Sequence, residues 1–290
     1  MNLITKSERR PWFFSDKETV TILVAGDWHV GDKYGILPKN PVTKEGSGIR
    51  PSNTQKKIYG ELVKTLKEIG HVDLLLLMGD LCEGKQLASF GVPLNDADTD
   101  NQTNWAAQLY QETFFDITKP DKVVSVMGTP YHAMVGIGGN LDYQVSQKID
   151  SMSDTYFGYP SALFYLGKGK LLWDLQHRVS IASVNKLMPF EKIMRTYAVN
   201  VANDGGEVPD VIGRGHNHSI CYEATNISDG AIPRIAFNSA CLKADDVYGQ
   251  ELPYPSTAKV GVTSMLQEDR TVTGKKHLFD IYNTGVERIE

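Results

Sequence analysis

Residues 19–29 read TVTILVAGDWH, and this stretch decides the fold. Thr19 to Ala25 is an apolar, β-branched run that ends at a glycine, which is typical of a strand buried on both faces. Residues 72–80 repeat the pattern as VDLLLLMGD. Two buried strands of this kind, each followed by a carboxylate, predict a sheet that presents polar residues at the carboxyl ends of its strands.

Strands and helices alternate around these two runs in the first half of the chain. A helix is expected between Ser52, a good N-cap residue, and Gly70, a C-terminal glycine, because apolar residues recur there at helical spacing. The other expected elements are helices at 104–117, 141–149 and 190–201, and strands at 123–127, 162–166, 171–175, 179–184 and 208–213. This order predicts a mainly parallel sheet with a second, strand-rich sheet packed against it.

The composition is that of an ordinary globular protein. The chain has 290 residues, of which 41% are hydrophobic and 22% charged, with a net charge of −5. These values exclude a disordered tail, a collagen-like repeat and a coiled coil. The longest dense apolar run, 74–78, is far shorter than the roughly 20 residues of a membrane helix. No secretory signal is recognised at the N-terminus, so no membrane partner is expected.

The three cysteines indicate a reducing compartment. Cys82, Cys221 and Cys241 are odd in number, widely spaced and without a C-x-x-C pair. This pattern is neither a disulfide framework nor a zinc knuckle. Reduced thiols in a cytoplasmic protein are therefore expected.

No linker divides the chain, so a single domain over residues 1–290 is expected. Its motifs lie between about residues 19 and 220. Residues 220–290 carry no recognisable motif and are expected to complete the second sheet.

Acidic residues and histidines follow the predicted strands. Asp27 and His29 are two residues apart after the first strand, so an extended chain points both to one side. Asp80 follows the second strand, and His216 and His218 repeat the two-residue spacing next to glycines. Each short pattern has an ordinary alternative, such as a turn aspartate or a surface histidine.

Two more histidines lie close to strand ends. His177 follows the run 171–176, where a hydrogen-bonded strand histidine is as well supported as a ligand. His132 follows the strand at 123–127, and an ordinary loop histidine is the alternative there. His71 and His277 are assigned to structure or solvent.

Together the strand ends supply six candidate metal ligands: Asp27, His29, Asp80, His177, His216 and His218. Mixed nitrogen and oxygen ligands suit manganese, iron, zinc or nickel better than calcium. Six ligands exceed the needs of one four-coordinate zinc, whereas two cations about 3.5–4 Å apart with a bridging carboxylate use them all. Such a pair polarises a phosphoryl group and generates a hydroxide that attacks phosphorus in line.

The order of these motifs resembles that of the calcineurin-like metallophosphoesterases. The pattern of that family is D-x-H, G-D-x-x-D, G-N-H-D/E, a lone His and G-H-x-H. The matching residues are Asp27-x-His29, Gly79-Asp80-x-x-Glu83 with Glu in place of the final Asp, His177, and Gly215-His216-x-His218. The resemblance runs from about residue 20 to 220 and implies an α/β fold, a four-layer α/β/β/α sandwich of two mixed sheets.

The resemblance also implies how the ligands divide between two divalent cations. Asp27, His29, Asp80 and His218 would hold one metal, with Asp80 as the bridge. His177 and His216 would hold the other. The expected metals are manganese or iron, with zinc or nickel as alternatives.

The third motif departs from the family. Gly128-Thr129-Pro130-Tyr131-His132 stands where Gly-Asn-His is expected, so Thr129 occupies the place of an asparagine ligand. His132 lies two residues later than the family histidine, and we expect it to act as the catalytic acid. The alternatives are that His132 is a metal ligand, or that Asn104 or Asn140 supplies the missing one. Arg178 and Thr129 are the expected substrate contacts.

The expected function is hydrolysis of a phosphate ester by a metal-bridging hydroxide, first of all as a phosphodiesterase or nuclease. A phosphomonoesterase acting on a small molecule or phosphoprotein is the alternative within enzymes. A non-catalytic scaffold that keeps the fold is the alternative outside them. No feature of the sequence identifies a protein partner.

A basic segment bears on the substrate. Residues 33–67 contain eight basic and two acidic residues, a charge of +6 in an acidic chain. One hypothesis is that this segment guides nucleic acid towards the metals. The alternative is a solvated loop and helix face.

Overall fold

Two β-sheets organise the chain, as expected. The computed structural model of the protein describes residues 2–5, 12–85, 94–135, 139–177, 193, 196–197, 199–200, 203, 207–216, 218, 221–225, 234–244 and 258–281. In chain order the strands are β1 (Asn2–Thr5), β2 (Trp12–Phe13), β3 (Thr19–Ala25), β4 (Leu74–Leu77), β5 (Lys122–Val126), β6 (Met134–Val135), β7 (Gly139–Asn140), β8 (Asp154–Tyr159), β9 (Ser161–Leu166), β10 (Leu171–Gln176), β11 (Val211–Arg214), β12 (Cys221–Thr225), β13 (Arg234–Asn238), β14 (Gly261–Glu268) and β15 (Thr271–Leu278). The helices are α1 (Asn53–Ile69), α2 (Thr99–Tyr110), α3 (Pro130–Ala133) and α4 (Leu141–Ile149), and α2 continues as a π-helical segment at Gln111–Thr118.

Both large sheets mix parallel and antiparallel strands. The first has seven strands in the order β1-β8-β5-β4-β3-β14-β15. The five strands β1, β8, β5, β4 and β3 are parallel to one another. At the other edge, β14 pairs antiparallel with both β3 and β15. The second has six strands in the order β12-β13-β11-β10-β9-β2, with both kinds of pairing. The prediction of two mixed sheets in an α/β fold is therefore confirmed.

The sheets and helices form layers. Because side chains alternate along a strand, Leu75 belongs to the core cluster that contains the buried face of α1, whereas its neighbour Leu76 belongs to the cluster shared with the second sheet. On the other face of the second sheet, Ile212 packs against Ile193, a residue with helical backbone. Helix, sheet, sheet and helix follow one another, in the four-layer order that was expected.

Most predicted elements agree with the structure to within a few residues. β3 and α4 have the predicted bounds, and α1 begins after Ser52, which forms a capping box with Gln55. The helix expected from residue 104 begins at Thr99, because the Asp98 side chain accepts two backbone hydrogen bonds and caps it earlier. β8 was not predicted. The strand expected at 179–184 lies outside the described residues, and so does Arg178.

Within the described ranges, no helix is both long enough and apolar enough to cross a membrane.

Strand ends of both sheets meet at one edge. The N–H of Asp27, after β3, donates to the carbonyl oxygen of Gly79, after β4, at 2.9 Å. In the second sheet, the N–H of Gly215 donates to the carbonyl oxygen of His177 at 2.9 Å. Nδ1 of His177 in turn donates to the carbonyl oxygen of Met78 at 2.5 Å and joins the two sheets. Every predicted ligand follows one of these strands.

Asp142, in the first turn of α4, ties two of the strand-end loops together. Its fully buried carboxylate accepts the N–H of Leu81 at 2.9 Å and the N–H of Gly128 at 2.7 Å. Burial, together with the negative charge of Asp80, raises the pKa of Asp142 to about 6. The loops after β4 and β5 therefore share one acceptor.

Replacing Asp142 by alanine should destabilise the protein. The substitution leaves two buried N–H groups unpaired, so we expect the free energy of unfolding to fall by about 2–5 kcal/mol. Urea denaturation followed by circular dichroism measures this change. Asp116→Ala, at an exposed position, is the control and should change stability by less than about 0.5 kcal/mol. Equal effects of the two substitutions would contradict the role given to Asp142.

Candidate metal centre

The six predicted ligands lie together in two neighbouring groups. The first contains Asp27, Asp80, His177 and His216, and the second contains Asp27, His29 and His218. Within each group the ligand atoms all lie within 4.8 Å of one another. The carboxylate common to both groups is that of Asp27. The resemblance assigned the bridge to Asp80, and that assignment stays a prediction.

The first group is built around a buried histidine. Nε2 of His177 lies 2.8 Å from Oδ2 of Asp80 and 3.8 Å from Oδ1 of Asp27. Nδ1 of His216 lies 3.9 Å from Oδ2 of Asp80. The N–H of His216 also donates to Oδ2 of Asp27 at 3.2 Å. Loops from both sheets thus contribute to one group.

The second group has the spacing of ligands on one cation. The Nε2 atoms of His29 and His218 are 3.2 Å apart, and they lie 3.9 and 3.4 Å from Oδ1 of Asp27. Two nitrogen ligands bound at 2.0–2.1 Å in tetrahedral geometry lie about 3.4 Å from each other. The observed separation fits that arrangement.

Buried atoms at the centre of the site lack hydrogen bonds. Among the described residues, Oδ1 of Asp27 and Nε2 of His177 are buried outside hydrogen-bonding geometry, although Nε2 lies 2.8 Å from the Asp80 carboxylate. Since Nδ1 of His177 donates to a carbonyl group, Nε2 is the ring nitrogen that faces the carboxylates. A cation would satisfy both atoms, so the residues present fit a metal site.

The charges of the site call for a positive partner. Burial would raise the pKa of Asp80, but His177 outweighs it and holds that pKa well below the usual range. Burial would lower the pKa of His177, but Asp80 and Asp27 outweigh it and raise that pKa to about 10. The two carboxylates therefore hold a proton on the imidazole when no cation is near, and a divalent cation would take its place.

A hydrogen bond to Glu83 holds His29 in one tautomer. Its Nδ1 donates to Oε2 of the buried Glu83 at 2.5 Å, which leaves Nε2 facing the second group. Burial, together with the positive charge of Lys243, holds the pKa of His29 well below its usual value. A metal-bound histidine is usually neutral, with one ring nitrogen on the metal and the N–H of the other donating to a carboxylate or carbonyl group.

The sequence analysis did not identify Asp32 and Lys243, which lie close to Glu83, the partner of His29. Nζ of Lys243 lies 3.2 Å from Oδ2 of Asp32 and 3.6 Å from Oε2 of Glu83, and all three side chains are buried. Burial raises the pKa of Asp32 to about 6. Glu83 matched the second motif, but no pattern in the sequence pointed to Lys243.

Two of the candidate ligands are partly exposed. The side chains of Asp27, Asp80 and His177 are fully buried, whereas those of His216 and His218 are 31% and 28% exposed. Solvent therefore reaches the candidate ligands at the side chains of His216 and His218.

Five of the six candidate ligands have a left-handed backbone. The φ angles are 49° at Asp27, 48° at His29, 50° at Asp80, 72° at His216 and 48° at His218. Only three other non-glycine residues in the described part of the chain share this conformation. Such a backbone costs about 1–3 kcal/mol per residue and is concentrated at functional sites. This clustering is a second, independent sign of a functional site.

The third motif contacts the site differently from the expected asparagine. The N–H of Thr129 donates to Oδ1 of Asp80 at 2.7 Å, and its hydroxyl lies 3.2 Å from both carboxylate oxygens. Asn104 accepts a hydrogen bond from Lys148 at an exposed position, and Oδ1 of Asn140 caps α4. Neither geometry supports these asparagines as the missing ligand.

His132 lies directly beside the second group. Its ring centroid is 4.7 Å from that of His29, and its Nδ1 donates to the carbonyl oxygen of Glu83 at 2.9 Å. It also forms a third possible ligand group with His29 and Glu83. The roles of catalytic acid and of ligand thus both remain predictions. His277, by contrast, contacts Ser264, and His71 lies in an exposed group with Asp73 and Asp121.

Comparisons with known proteins give only distant likenesses. No family model and no curated protein matches the sequence. Among solved structures, a predicted phosphoesterase of Streptococcus pneumoniae has a TM-score of 0.35 at 10% identity, over 89% of this chain and 90% of that one. A protein of Thermotoga maritima has a TM-score of 0.33 at 12% identity, over 89% and 98%. The calcineurin-like phosphoesterase YfkN of Bacillus subtilis has a TM-score of 0.35 at 12% identity, over 90% and 91%.

Two of these three proteins are named as phosphoesterases, the class that the sequence motifs resemble.

Placing a methyl group at residue 128 should displace Asp80. A Cβ atom there would lie 2.0 Å from Oδ1 of Asp80, closer than any real contact. We therefore expect Gly128→Ala to bind less than half as much manganese as the unaltered protein, as measured by elemental analysis after gel filtration. Gly60→Ala is the control, because a Cβ atom at Gly60 meets nothing within 4 Å. Full manganese binding by a folded Gly128→Ala protein would contradict the geometry.

Proposed function

We propose that this protein is a metal-dependent phosphoesterase with two divalent cations. The observation that carries the proposal is the pair of adjacent ligand groups joined by the Asp27 carboxylate. The first cation would be held by Asp27, His29 and His218, and the second by Asp80, His177 and His216 with Asp27 or Asp80 between them. When bound, the cations supply the charge that polarises a phosphoryl group and lowers the pKa of a water molecule.

The side chains of the protein supply the remaining functions. Glu83 keeps Nε2 of His29 unprotonated by accepting the hydrogen of Nδ1. The N–H of Thr129 fixes the orientation of the Asp80 carboxylate. His132 has its Nδ1 hydrogen engaged by a carbonyl group, so when protonated it has the Nε2 hydrogen to donate to a leaving oxygen.

An enzyme is better supported than a scaffold. A scaffold needs only the fold, whereas the fully buried Asp27 and Asp80 carry a desolvation cost that serves no packing purpose. The strained backbone at five ligand positions adds a further cost. Both costs are explained by a metal-dependent reaction.

Within the enzymes, we propose a phosphodiester as the substrate, and nucleic acid as its source. All the basic side chains between 33 and 67 are exposed except Lys57, which is half-buried, although Lys44 is paired with Asp98. Gln55, in the first turn of α1, donates to the carbonyl oxygen of Asp32 at 2.9 Å and anchors the segment next to the loop after β3. The positive charge therefore begins beside the candidate metal centre, where it favours a polyanion.

The activity is tested with chromogenic esters. We expect the manganese-loaded protein to hydrolyse bis(p-nitrophenyl) phosphate faster than p-nitrophenyl phosphate. Asp80→Asn should lower kcat/KM for the diester by at least about 100-fold, because a neutral amide replaces a ligand while still tolerating the left-handed backbone. Asp116→Asn is the matched control. Full activity of the Asp80→Asn protein, or activity that survives metal removal, would refute the proposal.

The basic segment is tested by charge reversal. The triple variant Lys39→Glu/Lys44→Glu/Arg50→Glu should slow cleavage of single-stranded DNA by at least about tenfold, with a reduced salt dependence, and should spare the small diester. Lys64→Glu/Lys67→Glu, at the C-terminal end of α1, is the control. If the triple variant impairs both substrates equally, the segment does not guide a polynucleotide.

A further inference from the structure

An exposed aromatic side chain lies next to the candidate metal centre. Tyr131, in the short helix α3, is 50% exposed, and Met134 at the end of this helix is 39% exposed. The Tyr131 ring lies 4.9 Å from the ring of His132 at an interplanar angle of 88°. The His132 ring in turn lies 4.7 Å from the ligand His29. Tyr131 is therefore two ring contacts away from the second ligand group.

The backbone beneath Tyr131 is held on both sides. Before it, the N–H of Thr129 donates to Asp80, and the ring of Pro130 restricts φ. After it, the N–H of Ala133 donates to the carbonyl oxygen of Thr129 at 2.8 Å, and Ala133 itself is buried. His132 is fixed by its hydrogen bond to the carbonyl oxygen of Glu83. The exposure of Tyr131 is thus a property of an anchored turn.

The sequence explains why this ring stands where it does. Pro130 and Tyr131 are the two residues by which the third motif exceeds the family pattern Gly-Asn-His. They place an aromatic ring in contact with His132, which itself contacts His29. The proposed phosphoesterase function does not need this ring for metal binding or for proton transfer.

We infer that Tyr131 stacks on a nucleobase of the substrate, which makes the substrate a nucleotide-containing phosphodiester. This inference rests on the proposed function. A half-exposed ring that contacts His132 in a perpendicular arrangement keeps surface available for a flat partner, and tyrosine loses little conformational entropy on binding. Stacking of a base on an exposed aromatic ring is tolerant of sequence. The adjacent basic segment suits the phosphates of the same ligand.

The inference is tested by two ligands that differ only in the base. Adenosine 5′-monophosphate and ribose 5-phosphate are titrated calorimetrically into the full-length, manganese-loaded protein. We expect the Kd of adenosine 5′-monophosphate to be at least about fivefold lower, as one stacked base contributes. Tyr131→Ala should raise this Kd to that of ribose 5-phosphate, whereas Tyr131→Phe should retain the preference.

Phe13→Ala is the matched control, because Phe13 is also 50% exposed but lies on the edge strand β2. It should leave both Kd values unchanged. Thermal unfolding of each variant verifies that the fold is kept.

The outcomes separate the inference from the proposed function. If the protein hydrolyses bis(p-nitrophenyl) phosphate but binds both ligands equally, or if Tyr131→Ala keeps the preference for adenosine 5′-monophosphate, the stacking role is refuted and the phosphoesterase stands. If the protein neither hydrolyses the diester nor binds either ligand, the proposed function fails and the inference falls with it.

Discussion

Two carboxylates, Asp27 and Asp80, are fully buried at the ends of adjacent parallel strands, and the structure around them follows from that constraint. Like charges in a buried site repel each other and lose their hydration, so they require a positive partner. His177 supplies one when protonated, as its pKa of about 10 indicates. The unpartnered Oδ1 of Asp27 and the imidazoles of the second group give a cation a better place. A bound cation would therefore complete a set of charges that the strands bring together.

The backbone conformation that brings these charged side chains together lowers the stability of the protein. Five candidate ligands adopt a left-handed conformation that most side chains avoid. The loops after β4 and β5 come so close that Gly128 has no room for a side chain beside Asp80. Asp142 compensates by binding the N–H groups of both loops. The hydrogen bonds of Asp142 therefore offset part of the backbone strain at the candidate ligands.

The sequence predicted the fold correctly, and its assignment of ligands, which stays a prediction, has the same physical basis. β3 and β4 are buried on both faces, so they are continuous apolar runs, and the polar residues that follow them stand out. β8 was missed because its sequence, DTYFGY, mixes polar and aromatic residues and carries a glycine that weakens the strand pattern. Lys243 was missed because its contacts with Asp32 and Glu83 join distant parts of the chain. The sharing of Asp27 by both groups depends on side-chain positions that motif spacing does not specify.

The central claim is that two cations bind side by side with Asp27 between them. Anomalous diffraction from crystals grown with manganese tests it most directly. The account predicts two anomalous peaks about 3.5–4 Å apart, one near His29 and His218 and the other near His177 and His216. A single peak, or peaks remote from the Asp27 carboxylate, would contradict it.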